Sequence, residues 1–116
     1  MSQVSVIIAT YNCGEYIREA IESVLCQTYR NFDLIVLDDG STDKTKEILE
    51  PYLNRINYIY QENRGLAAAR NAGILKSSGE YIALLDADDV WYPHKLEKQV
   101  SSLNNNPSIG LVFSNA

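Results

Sequence analysis

The 116-residue sequence has few of the residues that mark several common functions. Its two cysteines, Cys13 and Cys26, and its one histidine, His94, indicate neither a disulfide framework nor a zinc site, so both thiols are read as reduced and structural. Cations are scarce as well: ten Lys and Arg stand against fifteen Asp and Glu, for a net charge of -5, and they form no cluster. Broad binding to a nucleic-acid backbone is thereby excluded, because such proteins present a basic face. No apolar run approaches the roughly 20 residues of a membrane span. The start, Met1 to Ile8, lacks a basic leader and turns polar at Thr10, so it reads as a first strand of a cytoplasmic protein and not as a signal peptide. Glycine-rich phosphate loops are missing too. Thr10-Tyr11-Asn12-Cys13-Gly14 follows the first apolar run, with neither a Gly-x-Gly-x-x-Gly turn nor a Gly-Lys-Ser/Thr loop, which excludes the dehydrogenase and P-loop classes. A receiver domain is excluded because the acidic pair follows the second strand and no Lys follows the fifth. What remains is ordinary: 46% apolar and 22% charged residues suit one globular domain over residues 1–116.

The apolar patterning alternates in kind. Val4 to Ala9 is a β-branched run expected of a strand covered on both faces. From Glu15 to about Gln27 the spacing of Ile17, Ala20, Ile21, Val24 and Leu25 makes one helical stripe. Leu34 to Leu37 predicts a second strand, and Ile48, Leu49, Tyr52 and Leu53 a second helix that Ser41 or Thr42 could cap, with Asp43 suited to its first turn. Tyr58 to Tyr60, then Leu66 to Leu75, then Glu80 to Leu85 read as strand, helix and strand. Pro93 opens a helix carrying Leu96, Val100 and Leu103, the run Asn104 to Pro107 breaks it, and Ile109 to Phe113 predicts a fifth strand. Strands and helices alternating at these lengths define an α/β fold with a mainly parallel, Rossmann-like sheet and helices on both faces.

Ligands of such sheets bind beyond the carboxyl ends of the strands. Three polar clusters are due there: Thr10-Tyr11-Asn12, Asp38-Asp39-Gly40-Ser41 and Asp86-Ala87-Asp88-Asp89. Each is explicable as turn chemistry, but their convergence on one edge points to a single polar site. The last cluster crowds three carboxylates at a strand exit, where a hard divalent ion such as Mg²⁺ or Mn²⁺ relieves the repulsion. Tyr11 suits the face of a nucleobase and Asp39 an N–H on a base edge, while a metal on Asp86 and Asp88, with Arg70 nearby, suits a diphosphate.

At these residues the chain resembles the family 2 glycosyltransferases, inverting enzymes of the GT-A fold. The resemblance runs through five blocks in order: Val4 to Asn12, Ser23-Val24-Leu25-Cys26-Gln27-Thr28-Tyr29, Leu37 to Asp43, Asn63 to Gly73, and Gly79 to Asp89. It implies that Thr10 and Tyr11 line a nucleobase pocket, that Asp39 bonds the base, and that Arg70 lies near the nucleotide. Asp86 is then near the ribose or the metal and Asp88 binds the metal; Asp89 is read separately as supporting the loop or opening the next helix. A nucleotide-diphosphate sugar is the implied donor, and a saccharide or lipid-linked molecule the acceptor. In the family an acidic side chain takes the acceptor hydroxyl's proton while the metal stabilises the departing diphosphate. Family members continue well beyond this length, and their later half holds the acceptor site and the base. Residues 1–116 are accordingly expected to be the nucleotide-binding half, and no catalytic base is assigned.

Other residues are read structurally. His94 is expected to be an exposed first-turn residue, Trp91 and Tyr92 packing or lid residues, Arg64 a surface group, and Cys13 no nucleophile, since nothing pairs it with a base. Two further functions use the same groups: a noncatalytic nucleotide-sugar-binding module and a metal-dependent phosphohydrolase.

Overall fold

The computed structural model describes residues 3–105 and 111–113. The elements are β1 (Val4–Thr10), α1 (Ile17–Leu25), β2 (Phe32–Asp38), α2 (Thr45–Leu49), β3 (Asn57–Tyr60), α3 (Leu66–Lys76), β4 (Tyr81–Asp86), α4 (Lys95–Asn105) and β5 (Leu111–Phe113). The alternation expected from the apolar runs is present throughout. The break at Asn106-Pro107 and the first residues of the expected fifth strand, Ile109 and Gly110, lie outside the described residues.

All strand pairs are parallel, and the order across the sheet is β3-β2-β1-β4-β5. The first two crossovers therefore move outward from β1 in one direction, and the third returns to its other side. That reversal opens a crevice between the carboxyl ends of β1 and β4, the switch point at which parallel sheets bind ligands.

Strand alternation divides the core between two faces. Val4, Val6 and Ile8 join Leu34 and Val36, Tyr81, Ala83 and Leu85 beneath the α1 stripe, with Leu49, Leu96 and Val100 from the other helices of that face. All five α1 stripe residues are buried, and Ile17, Ile21, Val24 and Leu25 each contribute about 1.5–3 kcal/mol as large aliphatic side chains. The opposite face is covered by α3, where Ala69 packs on Ala9 and Leu37. Gly73 makes that approach possible, because a Cβ there would stand 2.7 Å from Ile7 Cγ2. Helices thus lie on both sheet faces, three on one and α3 on the other.

Several boundaries move inward. A turn precedes α1, with the Tyr16 and Ile17 N–H groups on the Cys13 carbonyl, so the helix starts at Ile17 and not at Glu15. The second helix has five residues and passes into a 3₁₀ turn at Glu50–Tyr52 that contains Pro51, leaving Leu53 outside the stripe and half exposed. Neither Ser41 nor Thr42 caps it. Asp43 accepts the Thr45 N–H (3.0 Å), while the Ser41 hydroxyl accepts the Asn12 N–H (2.9 Å). Pro93 precedes α4 by two residues and does not open it.

Candidate functional site

Two of the edge loops are tied to each other. Asn12 adopts a left-handed conformation (φ 51°), which Asn tolerates when its short amide bonds locally. Its Oδ1 accepts the N–H of Thr42 (2.8 Å) and of Asp43 (3.3 Å), and Asp43 Oδ2 accepts the Gly14 N–H (3.0 Å). The loop after β1, which carries Tyr11, is therefore held against the loop after β2. Asp43 ends with its pKa below the ordinary carboxylate value: burial raises it, but the bonds from Thr45 and Gly14 outweigh that.

The Asp38-Asp39 pair is buried, each at 1% exposure. Asp38 accepts the Ser41 N–H (2.9 Å) and the Tyr58 hydroxyl (2.7 Å). Tyr58 has its own pKa raised, by burial first and then by that bond to Asp38. Asp39 faces the segment that leads into α3. Its Oδ1 accepts Gln61 Nε2 (2.8 Å) and Arg64 N–H (2.9 Å), and its Oδ2 accepts Gly65 N–H (2.9 Å). Burial pushes the Asp39 pKa up, yet these bonds hold it below the usual carboxylate range. Gly40 permits the sharp path between the two loops; it has φ 82°, and a Cβ there would meet Asn63 N at 2.8 Å.

The acidic cluster after β4 is different in kind. Asp86 ends the strand, and the Asp89 N–H closes a turn onto the Asp86 carbonyl (3.0 Å). One oxygen from each of Asp86, Asp88 and Asp89 lies within 4.8 Å of the others, with Asp88 exposed and the other two half-buried. Arg70, one turn into α3, donates from Nη2 to Asp86 Oδ1 at 3.0 Å. This is a hard all-oxygen donor set with Arg70 as its neighbouring cation among the described residues, and its chemistry fits Mg²⁺ or Mn²⁺.

A cavity of about 270 Å³ lies at the switch point, lined by Ala9, Tyr11, Cys13, Leu66, Arg70, Asp86, Ala87 and Asp88. Four of the residues expected to bind a ligand therefore share one cavity: Tyr11, Arg70, Asp86 and Asp88. Thr10 and Asp39 do not line it. Strand alternation sends the Thr10 side chain to the α1 face, where it is fully buried and its hydroxyl bonds none of the described residues, while its carbonyl accepts the Asp39 N–H (2.8 Å). Asp39 is buried, with three of its four or so acceptor positions filled. Asp89 joins the cluster although the expectation gave it only to the loop or the next helix. Asn12 and Asp43 were not singled out for the ties they make, and nothing short of the fold reveals a pairing 29 to 31 residues apart.

Among the discounted residues, Trp91 is buried in the core. Tyr92 is exposed, so of the two roles expected for it the packing one is not met. His94 is exposed as expected and meets Glu97 and Thr28.

A parallel α/β sheet with an acidic, arginine-flanked cavity at its switch point defines a nucleotide-site architecture, and comparison with known proteins is specific about which. The model of glycosyl transferase family 2 matches residues 5–115. The chain belongs to that family. It is 50% identical over 101 residues to an uncharacterised glycosyltransferase of Rickettsia typhi, an alignment covering 87% of this chain and 32% of that protein. Among solved structures it is similar to residues 1–349 of TarS from S. aureus in complex with UDP-GlcNAc, with a TM-score of 0.80 and 30% identity over 92% of this chain and 32% of that one. It is also similar to the mannosyltransferase PcManGT of Pyrobaculum calidifontis in complex with GDP-Man and Mn²⁺, with a TM-score of 0.78 and 25% identity over 92% and 33% of the two chains. The GT-A fold is common to these neighbours. The chain spans between 16% and 40% of the length of the curated relatives it matches. No helix of the described residues is long and apolar enough to cross a membrane.

Proposed function

We propose that residues 1–116 form the donor-binding part of a metal-dependent glycosyltransferase that takes a nucleotide-diphosphate sugar and passes the sugar to an acceptor hydroxyl. The observation that carries this reading is the meeting of Tyr11, Arg70, Asp86 and Asp88 in one cavity at the switch point. Neighbours of the same fold bound to UDP-GlcNAc and to GDP-Man with Mn²⁺ support it.

Each side chain has a defined task. Tyr11, 40% exposed at the cavity mouth, offers its ring to the face of a base. Asp39 keeps one acceptor position on Oδ2 for a base N–H, and Thr10 holds that residue's backbone. Arg70 brings a fixed cation to the diphosphate side and keeps Asp86 oriented toward the ribose or the metal. Asp88, the most open carboxylate of the cluster, is the principal ligand for Mn²⁺ or Mg²⁺, with Asp86 and Asp89 beside it. A bound divalent ion supplies Lewis-acid stabilisation of the leaving diphosphate.

Isothermal calorimetry tests the site directly. UDP or GDP is expected to bind more tightly with Mn²⁺ than without it, and Asp88→Ala is expected to remove that gain, a loss of about 100-fold. Nucleotide binding that ignores Mn²⁺ in both proteins sinks the reading, and phosphate release from simple esters without an acceptor favours a hydrolase instead.

A further inference from the structure

The block Ser23 to Tyr29 takes no part in the cavity, yet its best-buried polar side chain reaches the far end of the acidic loop. Gln27 is 1% exposed at the end of α1. Its Nε2 donates to the Tyr92 carbonyl (2.7 Å) and to its own helix at Ser23 O (3.0 Å), and its Oε1 accepts the Leu96 N–H (3.0 Å). Thr28 adds a second set: its N–H donates to Pro93 O (2.9 Å) and its hydroxyl to Glu97 Oε2 (2.7 Å). Residues 27 and 28 thus bond five of the six residues from Tyr92 to Glu97, His94 among them through the Thr28 hydroxyl (3.2 Å), across 65 to 69 positions of sequence.

The acidic loop is strung between two anchors. At its start Asp86 is fixed by the β4 ladder and by Arg70. At its end Trp91 is buried, but its indole N–H bonds none of the described residues, so the ring supplies burial without directional hold. Direction comes from the carboxamide of Gln27, which specifies both a carbonyl and an N–H of the incoming chain. Asp88 and Asp89 lie between these anchors, in the turn that the Asp89 N–H closes onto the Asp86 carbonyl (3.0 Å).

We propose that Gln27, assisted by Thr28, is a positioning residue for the metal-binding carboxylates: it sets the end of the Ala87 to Lys95 segment and so the distance of Asp88 and Asp89 from Asp86. This rests on the metal role of Asp88. Removing the carboxamide leaves the Tyr92 carbonyl and the Leu96 N–H without their partner, and the loop relaxes where the cluster needs constancy.

Mn²⁺ binding followed by electron paramagnetic resonance provides the test, with wild type, Gln27→Leu, Gln27→Glu, Thr28→Val and Asp88→Ala compared at equal folded fraction. Gln27→Leu is expected to weaken Mn²⁺ about tenfold and Thr28→Val about threefold, with metal-free UDP affinity unchanged in both. Gln27→Glu keeps the acceptor for Leu96 but turns a carboxylate onto the Tyr92 and Ser23 carbonyls, so it is expected to weaken Mn²⁺ at least as much as Gln27→Leu. Thr28 is exposed and its substitution is compatible with folding, so this variant decides the matter if the Gln27 variants do not fold. Mn²⁺ affinity equal to wild type in the folded variants, with Asp88→Ala still defective, overturns the positioning role alone. An Asp88→Ala protein that binds Mn²⁺ normally overturns both the positioning role and the metal site beneath it. Equal losses of metal-free UDP and Mn²⁺ binding make the two residues structural only, which also overturns the proposal.

Discussion

Two acidic loops leave the same edge of the sheet, and they are built in opposite ways. After β2, Asp38 and Asp39 are buried, and their carboxylates accept five bonds from the chain itself. After β4, Asp86, Asp88 and Asp89 are half-buried or exposed, and Arg70 is the cation that meets them. A like position at a strand end and a different division of hydrogen-bonding capacity separate a loop tied to its own chain from one left open. The first loop uses its carboxylates to set the path of the chain into α3, and through it the place of Arg70. The second leaves its carboxylates open to solvent and to Arg70.

That contrast breaks if the two loops respond alike to truncation. The largest effect is expected from Asp39→Ala, which strands the Arg64 and Gly65 N–H groups and the Gln61 amide. A loss of about 3 kcal/mol in unfolding free energy follows for three donors left unpaired near a buried site, measurable in urea. Asp88→Ala in the same titration is expected to change stability by no more than about 0.5 kcal/mol, as for other exposed positions without special partners. Equal losses would show that the acidic cluster is also part of the frame.

How far the sequence reveals this contrast can be judged residue by residue. Val4 to Ala9 and the α1 stripe announce their elements because apolar periodicity is a local signal, and the fold keeps them. Asp38-Asp39 and Asp86 to Asp89 look equivalent by the same local rule, since both follow an apolar run. Their difference arises from long-range bonds: Asp39 meets residues 22 to 26 positions away, and Arg70 meets Asp86 at 16. The side-chain direction of Thr10 is set by the register of β1 and by which face α1 covers, neither of which a motif reports. Pro51 does signal the early end of α2, but the spacing of Tyr52 and Leu53 outweighs it when the helix is read from periodicity alone.

A smaller effect sharpens the comparison from the open side. Arg70→Ala removes the cation paired with Asp86, and UDP affinity in the absence of metal is expected to fall about tenfold, or about 1.4 kcal/mol. Arg70→Lys is expected to recover part of it, because a lysine supplies charge without the planar fork. Calorimetry with and without Mn²⁺ separates the two contributions. An affinity for metal-free UDP that is indifferent to Arg70 would assign this arginine to holding Asp86 alone.

The smallest effect concerns acid, and it belongs to the closed loop. Asp39 and Asp43 both have folded pKa values below the ordinary one, because their hydrogen bonds to the chain outweigh burial. A carboxylate depressed in the folded state contributes stability that is complete above its unfolded pKa, about 3.9, and is lost as pH falls through the lower folded value. Thermal unfolding midpoints are therefore expected to stay level with respect to these two groups down to about pH 4 and to drop below it. The sign follows from proton uptake: in that window the unfolded chain binds more protons than the native one. Asp39→Asn removes one of the two titrating clamps, so its midpoint is expected to start lower and then fall less steeply with acid than that of wild type. An unchanged slope in Asp39→Asn would mean that the three bonds to Gln61, Arg64 and Gly65 do not discriminate charged from neutral Asp39, and the distinction between the closed loop and the open one would then rest on burial alone.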